Sequence, residues 1–209
     1  MVVKARRITL REQMDWTGHA ASVFRAIGAT NHSAGEREAN DYYATDPKAV
    51  DLLLTKERPA SCIWECACGE GHLSKRLTER GYTVFSSDKI DRGCGEQRDF
   101  LLQTCLPFEG CDILTNPPYK YATEFVLKAL ELLKEGSRLF LFLKLTFLEG
   151  QARRRLIFGP HPPKKVYVFT KRIVCAKGGN FSLYSNSAVS YGWFVWQKGY
   201  AGQTYIDWL

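Results

Sequence analysis

From residue 46 onward the apolar positions alternate between two rhythms. DPKAVDLLLTKE places Ala49, Val50, Leu53 and Leu54 at helical spacing, with Asp46 able to cap and Pro47 suited to the first turn. SCIWECA is a short apolar run of the buried-strand kind, and CGEGHLSKRLTERG is a glycine turn into a helix that stops at Gly81. YTVFSSD is a second strand ending in an acid, and IDRGCGEQRDFLLQ is a loop with glycines. CDILTNPPY is a third strand with a proline stop, TEFVLKALELLKEG is a strongly periodic helix ending at Gly136, and SRLFLFLKL is a fully apolar fourth strand. LEGQARRRLIF reads as a short helix, and KKVYVFTKRI and SYGWFVWQKG as two further strands. Strand and helix in alternation predict an α/β fold with a mostly parallel, doubly wound sheet. The last two strands lack a long intervening helix, which predicts an antiparallel hairpin at one sheet edge, with Cys175 to Ser190 spanning the gap.

Residues 1–40 are polar and lack a clear period, although RITLREQMDWTGHAASVFRAIGA has room for a short helix before the solvated connector NHSAGEREAND. The expected organisation is an N-terminal arm over 1–40 and one catalytic domain over 41–209, a length that suits one large domain with an extension. No apolar run approaches the roughly 20 residues of a membrane span, and the N-terminus has no signal-like apolar core. The expectation is a soluble cytoplasmic protein.

Charge changes this picture in the last third. The net charge is +7, yet residues 151–209 hold nine Lys/Arg against one acid, Asp207. Arg153, Arg154, Arg155, Lys164, Lys165, Lys171, Arg172 and Lys177 are interleaved with Phe158, Tyr167, Phe169, Phe181 and Tyr184. Such a surface suits a polyanion with stackable bases, or serves only as a solvated face. The seven cysteines include no C-x-x-C pair, and the histidines at 19, 32, 72 and 161 are scattered. No metal site is expected, and the thiols read as small buried or loop residues.

Candidate chemistry gathers at strand ends. Glu65 closes the first strand, and Gly69 and Gly71 permit a tight turn with close approach of a ligand. A dinucleotide fingerprint would place a third glycine where this chain has Ser74, and no Walker lysine follows, so a pyrophosphate site is disfavoured. Asp88, 19 residues after Gly69, is placed to accept from both hydroxyls of a ribose. Asp99 and Phe100 pair an acceptor for an adenine amino group with an apolar contact for its ring. Together these describe an adenosine pocket without a phosphate site, as S-adenosylmethionine requires, with Glu65 near its methionine portion.

ILTNPPYKY then ends the third strand. Proline lacks a backbone donor and disfavours helix in the residue before it, so Asn116, Pro117 and Pro118 are held extended. Alone, the segment reads equally as a stiff loop or as a hydrogen-bonding clamp for a flat polar ligand.

In their order, ECACGEG, SSDKID, RDFL and NPPY resemble the stations of class I methyltransferases acting on adenine N6. YYATDPKAVDLL resembles the segment that closes over the methionine end of the cofactor in that family. NSAVSYGWFVWQKGY resembles the last strands of its small phage- or prophage-encoded DNA adenine members. The resemblance covers about residues 41–200 and implies a Rossmann-like fold, S-adenosyl-L-methionine as cofactor and adenine in DNA as substrate. It implies cofactor contacts at Tyr43, Thr45, Glu65, Cys66, Ala67, Gly69, Gly71, Asp88, Lys89, Asp99, Phe100 and Asn116. It implies a catalytic clamp of Asn116, Pro117, Pro118 and Tyr119. In such a clamp the Asn116 side-chain oxygen and the Pro117 carbonyl accept the two amino hydrogens, and Tyr119 offers a stacking face to an extruded or single-stranded base. Phe181 or Tyr184 would supply a second face. Arg153, Lys171 and Arg172 would meet the nucleic acid, with Arg172 and Lys144 equally open to strand-end salt bridges.

RNA adenine remains an alternative substrate on these residues. A protein glutamine amide also fits an NPPY clamp but would not need the basic aromatic tail. A silent nucleic-acid-binding module is disfavoured because clamp and cofactor turn both look complete. Only about 60 residues follow the fourth strand, which leaves recognition to loops such as FGPHPPKK and CAKGGNFSLYSNSA or to the N-terminal arm. Short or relaxed sequence specificity follows, with a second subunit as possible help.

Overall fold

The structure is a computed structural model that describes residues 43–176, 179, 181 and 189–209. The N-terminal arm, Lys177 and Tyr184 lie outside the described residues. In chain order the elements are β1 (Ala44–Thr45), α1 (Lys48–Lys56), β2 (Cys62–Glu65), α2 (His72–Glu79), β3 (Thr83–Asp88), β4 (Glu96–Gln97), β5 (Asp112–Thr115) and α3 (Ala122–Leu132). They continue as β6 (Arg138–Lys144), α4 (Gln151–Arg153, widening to a π-helix over Arg154–Phe158), β7 (Lys165–Val168), β8 (Cys175–Ala176), β9 (Tyr191–Gln197) and β10 (Tyr205–Trp208).

Eight strands form one sheet in the order β10-β7-β9-β6-β5-β2-β3-β4. Every pairing is parallel except the two made by β9, which runs antiparallel to β6 and to β7. β1 and β8 form a separate antiparallel pair, Ala44 opposite Ala176 and Thr45 opposite Cys175. The expected β7/β9 hairpin is present. It is not the sheet edge, because β10 pairs parallel with β7 outside it. The apolar pattern gave no sign of β10: Tyr205, Ile206 and Trp208 are all exposed, so neither face shows the alternation of a half-buried strand.

Alternate strand residues feed two cores, one on each face. Trp64, Ile113, Leu139, Leu141, Phe194 and Trp196 pack with Val126 and Ala129 of α3. Ile63, Leu114, Phe140, Phe142, Trp193 and Val195 pack with Val50 and Leu53 of α1 and Leu77 of α2. A sheet buried on both faces reads as continuous apolar runs, which is why SRLFLFLKL carries no polar alternation. The buried indoles are satisfied: Trp193 donates to the Ala49 carbonyl at 2.8 Å and Trp64 to Ser87 Oγ at 2.9 Å. Among the described residues no helix is long and apolar enough to cross a membrane.

Asp112, Arg138 and Lys165 are the first residues of β5, β6 and β7, and Glu57 follows α1. Glu57, 7% exposed, accepts from Lys165 Nζ at 2.8 Å, Tyr167 Oη at 2.5 Å and Arg138 at 3.1 Å. Asp112 accepts from the Arg138 amide at 2.7 Å and its guanidinium at 3.1 Å, and from the Ala60 amide at 2.8 Å. Burial pushes the Glu57 carboxyl up, but the hydrogen bonds from Lys165 and Tyr167 and the Arg138 charge outweigh it, leaving its pKa below the usual glutamate value. Glu57→Ala takes the carboxylate partner from Lys165 and the acceptor from the buried Tyr167 hydroxyl, while Arg138 keeps Asp112, and is expected to cost about 1–3 kcal/mol, read as a lower urea midpoint. A loss under about 1 kcal/mol would show the network to be dispensable.

Candidate functional site

The carboxyl ends of β2, β3 and β5 open into one cavity of about 540 Å³. Ten of the twelve sequence-predicted cofactor residues line it: Tyr43, Thr45, Glu65, Cys66, Ala67, Asp88, Lys89, Asp99, Phe100 and Asn116. Pro117, Pro118 and Tyr119 complete the clamp side of the wall.

Gly69 and Gly71, the two remaining predicted cofactor residues, do not line the cavity; their turn lies between the lining residues Cys68 and His72. Gly69 and Gly71 adopt left-handed conformations, φ 54° and 78°, and Gly71 starts α2. A Cβ on Gly71 would collide with the Cys94 thiol, so only glycine fits. The Gly69 amide donates to Asp88 at 2.9 Å, which ties the turn to the end of β3. Asp88 also accepts from the Ile90 amide at 2.9 Å and from Arg92 at 3.3 Å. A carboxylate offers about four acceptor positions, so capacity for a ligand hydroxyl remains. Asp99 accepts from the Leu101 amide at 3.1 Å and pairs with Lys89 at 2.8 Å. Phe100 is chiefly a core residue, its ring 5.2 Å from that of Trp64 and 4.8 Å from that of Phe125, reaching the cavity as part of its wall.

Glu65 is 2% exposed and accepts a short hydrogen bond from Ser74, whose hydroxyl also lies 2.6 Å from that of Ser86. Position 74, where a dinucleotide site would carry glycine, thus holds the partner of the buried acid. Burial pushes the Glu65 carboxyl up to about 8; the Ser74 hydrogen bond opposes this, and the charge of Asp88 adds to it. Burial likewise pushes the Cys66 and Cys68 thiols up, which keeps them protonated and makes them apolar wall rather than nucleophiles.

Asn116 is the best-defined polar group of the clamp. Its Nδ2 donates to the Tyr43 carbonyl at 3.2 Å and to Thr45 Oγ1 at 2.9 Å. Its Oδ1 is buried and has no hydrogen-bond partner among the described residues. Tyr119 enters already engaged: its ring stacks 6.0 Å from that of Tyr191, and Lys144 Nζ lies 4.7 Å from its centroid. Its hydroxyl is enclosed and meets no partner in good hydrogen-bonding geometry; burial and the nearby Cys175 and Tyr191 push it well above the usual phenol range.

The remaining expected substrate contacts are not brought into the cavity. Arg153 spends its donors on the turn after β6, bonding the carbonyls of Phe147 at 2.8 Å, Thr146 at 3.4 Å and Glu149. Lys171 and Arg172 are exposed beyond β7. The Phe181 ring meets His72 edge-on at 5.4 Å. Sequence reasoning passed over His72, Ile90, Arg92 and Tyr121, all of which line the cavity. His72 directly follows Gly71, and Arg92 lies four residues after Asp88; only those spacings could have marked them. The His72 Nδ1 atom is buried with no partner among the described residues, and burial lowers the pKa of the ring.

No protein-family model and no curated protein sequence matches the chain. Its fold is shared with solved structures. One is a candidate class I S-adenosylmethionine-dependent methyltransferase from Listeria monocytogenes, with TM-score 0.58 and 12% identity over 97% of this chain and 75% of that one. Another is the modification subunit of a candidate type I restriction enzyme from Vibrio vulnificus, with TM-score 0.55 and 13% identity over 90% of this chain; this chain spans half the length of that subunit. A third, from Lactococcus lactis, is described as a candidate hemolysin, with TM-score 0.53 and 12% identity over 76% of this chain and 91% of that one. These likenesses establish a Rossmann-like α/β fold of the class I methyltransferase type, and a fold of this kind hosts more than one function.

The Glu65 carboxyl sets a pH dependence. Unfolded, it ionises near the ordinary glutamate value of 4.5; folded, it holds its proton to about 8. Between those values the folded state carries one extra proton, so raising pH favours unfolding, by at most about 1.4 kcal/mol per pH unit. Urea titrations from pH 5 to 8 are expected to show this decline in the wild type and a flatter profile in Glu65→Gln. Parallel profiles would rule out a buried, protonated Glu65.

Proposed function

We propose that the protein transfers a methyl group from S-adenosyl-L-methionine to the N6 amino group of adenine in DNA. The observation that carries this reading is the buried, unpartnered Oδ1 of Asn116 at a cavity whose other residues suit an adenosyl amino acid. Asp88 has acceptor capacity for a ribose hydroxyl and Asp99 for an adenine amino group, and the positive charge of a ligand ammonium beside Glu65 would lower the carboxyl pKa and favour its loss of a proton to water. The restriction-modification subunit among the structural neighbours, and the basic, aromatic last third of the chain, favour nucleic acid as the substrate.

The cofactor supplies an electrophilic methyl group. The chain supplies acceptors and a shaped cavity. An exocyclic amino nitrogen is a weak nucleophile because its lone pair is delocalised into the ring. Asn116 Oδ1 accepts one N–H and the Pro117 carbonyl the other, which pulls the nitrogen toward tetrahedral geometry and localises its lone pair. This is positioning and electrostatic preorganisation, with no covalent intermediate; the methyl–sulfur bond would break as the methyl–nitrogen bond forms, leaving S-adenosylhomocysteine, and the methylated nitrogen, now acidic, would release one proton to water without a strong base. Tyr119, its ring held by Tyr191 and Lys144, is the aromatic residue on which the base would stack. A base inside a duplex would have to leave the stack to reach it.

The test is methyl transfer from labelled cofactor to genomic DNA and to total RNA, each lacking N6-methyladenine, followed by nucleoside analysis. N6-methyladenine in DNA is the expected product; label only in RNA would change the substrate, and label only in protein would overturn nucleic-acid methylation. Asn116→Ala is expected to lower transfer at least about 100-fold while S-adenosylhomocysteine still binds. Unchanged turnover would refute the clamp.

A further inference from the structure

The two ends of the Asn116 carboxamide are chemically opposite, one a donor and one an acceptor, and the clamp works with only one of them facing the cavity. The Tyr43 carbonyl lies 3.2 Å from the nitrogen end. A backbone carbonyl can only accept, so it requires a donor opposite it. Turning the amide over would set Oδ1 against that carbonyl and present N–H donors to an amino group that needs acceptors. Thr45 Oγ1, at 2.9 Å, takes the second hydrogen of Nδ2. The two contacts come from one short strap, and each reaches Asn116 across about 70 residues of sequence.

The strap is itself held. Thr45 is 2% exposed and sits opposite Cys175 in the β1/β8 pair, with Ala44 opposite Ala176. The Asp46 amide donates to the Val174 carbonyl at 3.1 Å. Asp46 Oδ1 accepts from the Lys48 amide at 2.9 Å, which joins the strap to the start of α1. The strap therefore has a fixed position independent of any ligand, which is what a template for another side chain needs.

We propose that Thr45 is a positioning residue: together with the Tyr43 carbonyl, it locks the Asn116 amide so that Oδ1 is held toward the cavity as an acceptor. The proposal rests on the methyl-transfer reading above and reassigns Thr45, for which the family resemblance implies cofactor contact. It separates binding from turnover. A cofactor ligand lost at position 45 weakens S-adenosylhomocysteine binding, whereas a lost amide lock leaves binding intact and slows transfer.

Two measurements on the full chain test it. In Thr45→Val, kcat for adenine methylation is expected to fall about 10-fold, with the Kd for S-adenosylhomocysteine within about twofold of wild type, and Thr45→Ser is expected to restore the rate. The Asn116 side-chain amide signal, assigned by its absence in Asn116→Ala, is expected to exchange slowly with solvent in the wild type and faster in Thr45→Val. A 10-fold weaker Kd with unchanged kcat in Thr45→Val would overturn the lock in favour of direct cofactor contact, and so would an Asn116 amide that exchanges equally fast in both proteins. Absence of methyl transfer by the wild type to DNA or RNA would instead remove the reaction the lock serves, while the exchange measurement still reports whether the amide is held.

Discussion

Glu57 and Asp112 hold Arg138 and Lys165 where β5, β6 and β7 begin, and Asp112 also holds the Ala60 amide just ahead of β2. Ile63 faces Asp112 and Ile113 faces Leu139 across the ladder. Strands locked at their amino ends and running the same way must deliver their carboxyl ends to one common edge. Glu65, Asp88 and Asn116 follow from that constraint, since each lies at or just beyond the carboxyl end of its strand. The opposite ends of the sheet thus divide the work. One carries paired, satisfied charges that stabilise; the other carries the protonated Glu65, the unpartnered Oδ1 of Asn116, and Asp88, which is paired with Arg92 and keeps acceptor capacity for a ligand.

The two kinds of buried polar group differ in energetic meaning. Glu57 has three donors around it and remains ionised despite burial. Glu65 has one short hydrogen bond and a carboxylate neighbour, and burial leaves it protonated up to about pH 8. Asn116 Oδ1 has no partner among the described residues. A buried acceptor left without a donor costs stability, of order 1–3 kcal/mol. Groups of that kind concentrate at functional sites, where the missing partner is supplied by what binds.

What was legible in the sequence was what is local. The apolar run of β6, the glycine turn into α2 and the proline stop after β5 each depend on neighbours a few residues away, and each lies where the pattern put it. The acids at strand ends were legible for the same reason. β10 was not, because its residues are exposed on both faces and leave no period. Glu57, in LTKERP, reads as one charge in a polar stretch; its burial depends on Lys165 and Tyr167, more than 100 residues away. Arg153 reads as part of a basic tract, yet it folds back on carbonyls of its own turn. The hydrogen bonds from Asn116 to the strap belong to the same class: nothing in NPPY or in YYATD indicates that the asparagine's nitrogen is bound by the strap while its oxygen is left without a partner.

The most direct test of the clamp is a crystal structure of the protein bound to S-adenosylhomocysteine. The expected result is a ligand in the cavity with its ribose at Asp88, its amino group at Glu65, and Asn116 Oδ1 opening onto the space beside the ligand sulfur while Nδ2 remains on Tyr43 and Thr45. A ligand bound elsewhere, or an Asn116 side chain turned so that its oxygen faces the strap, would contradict it.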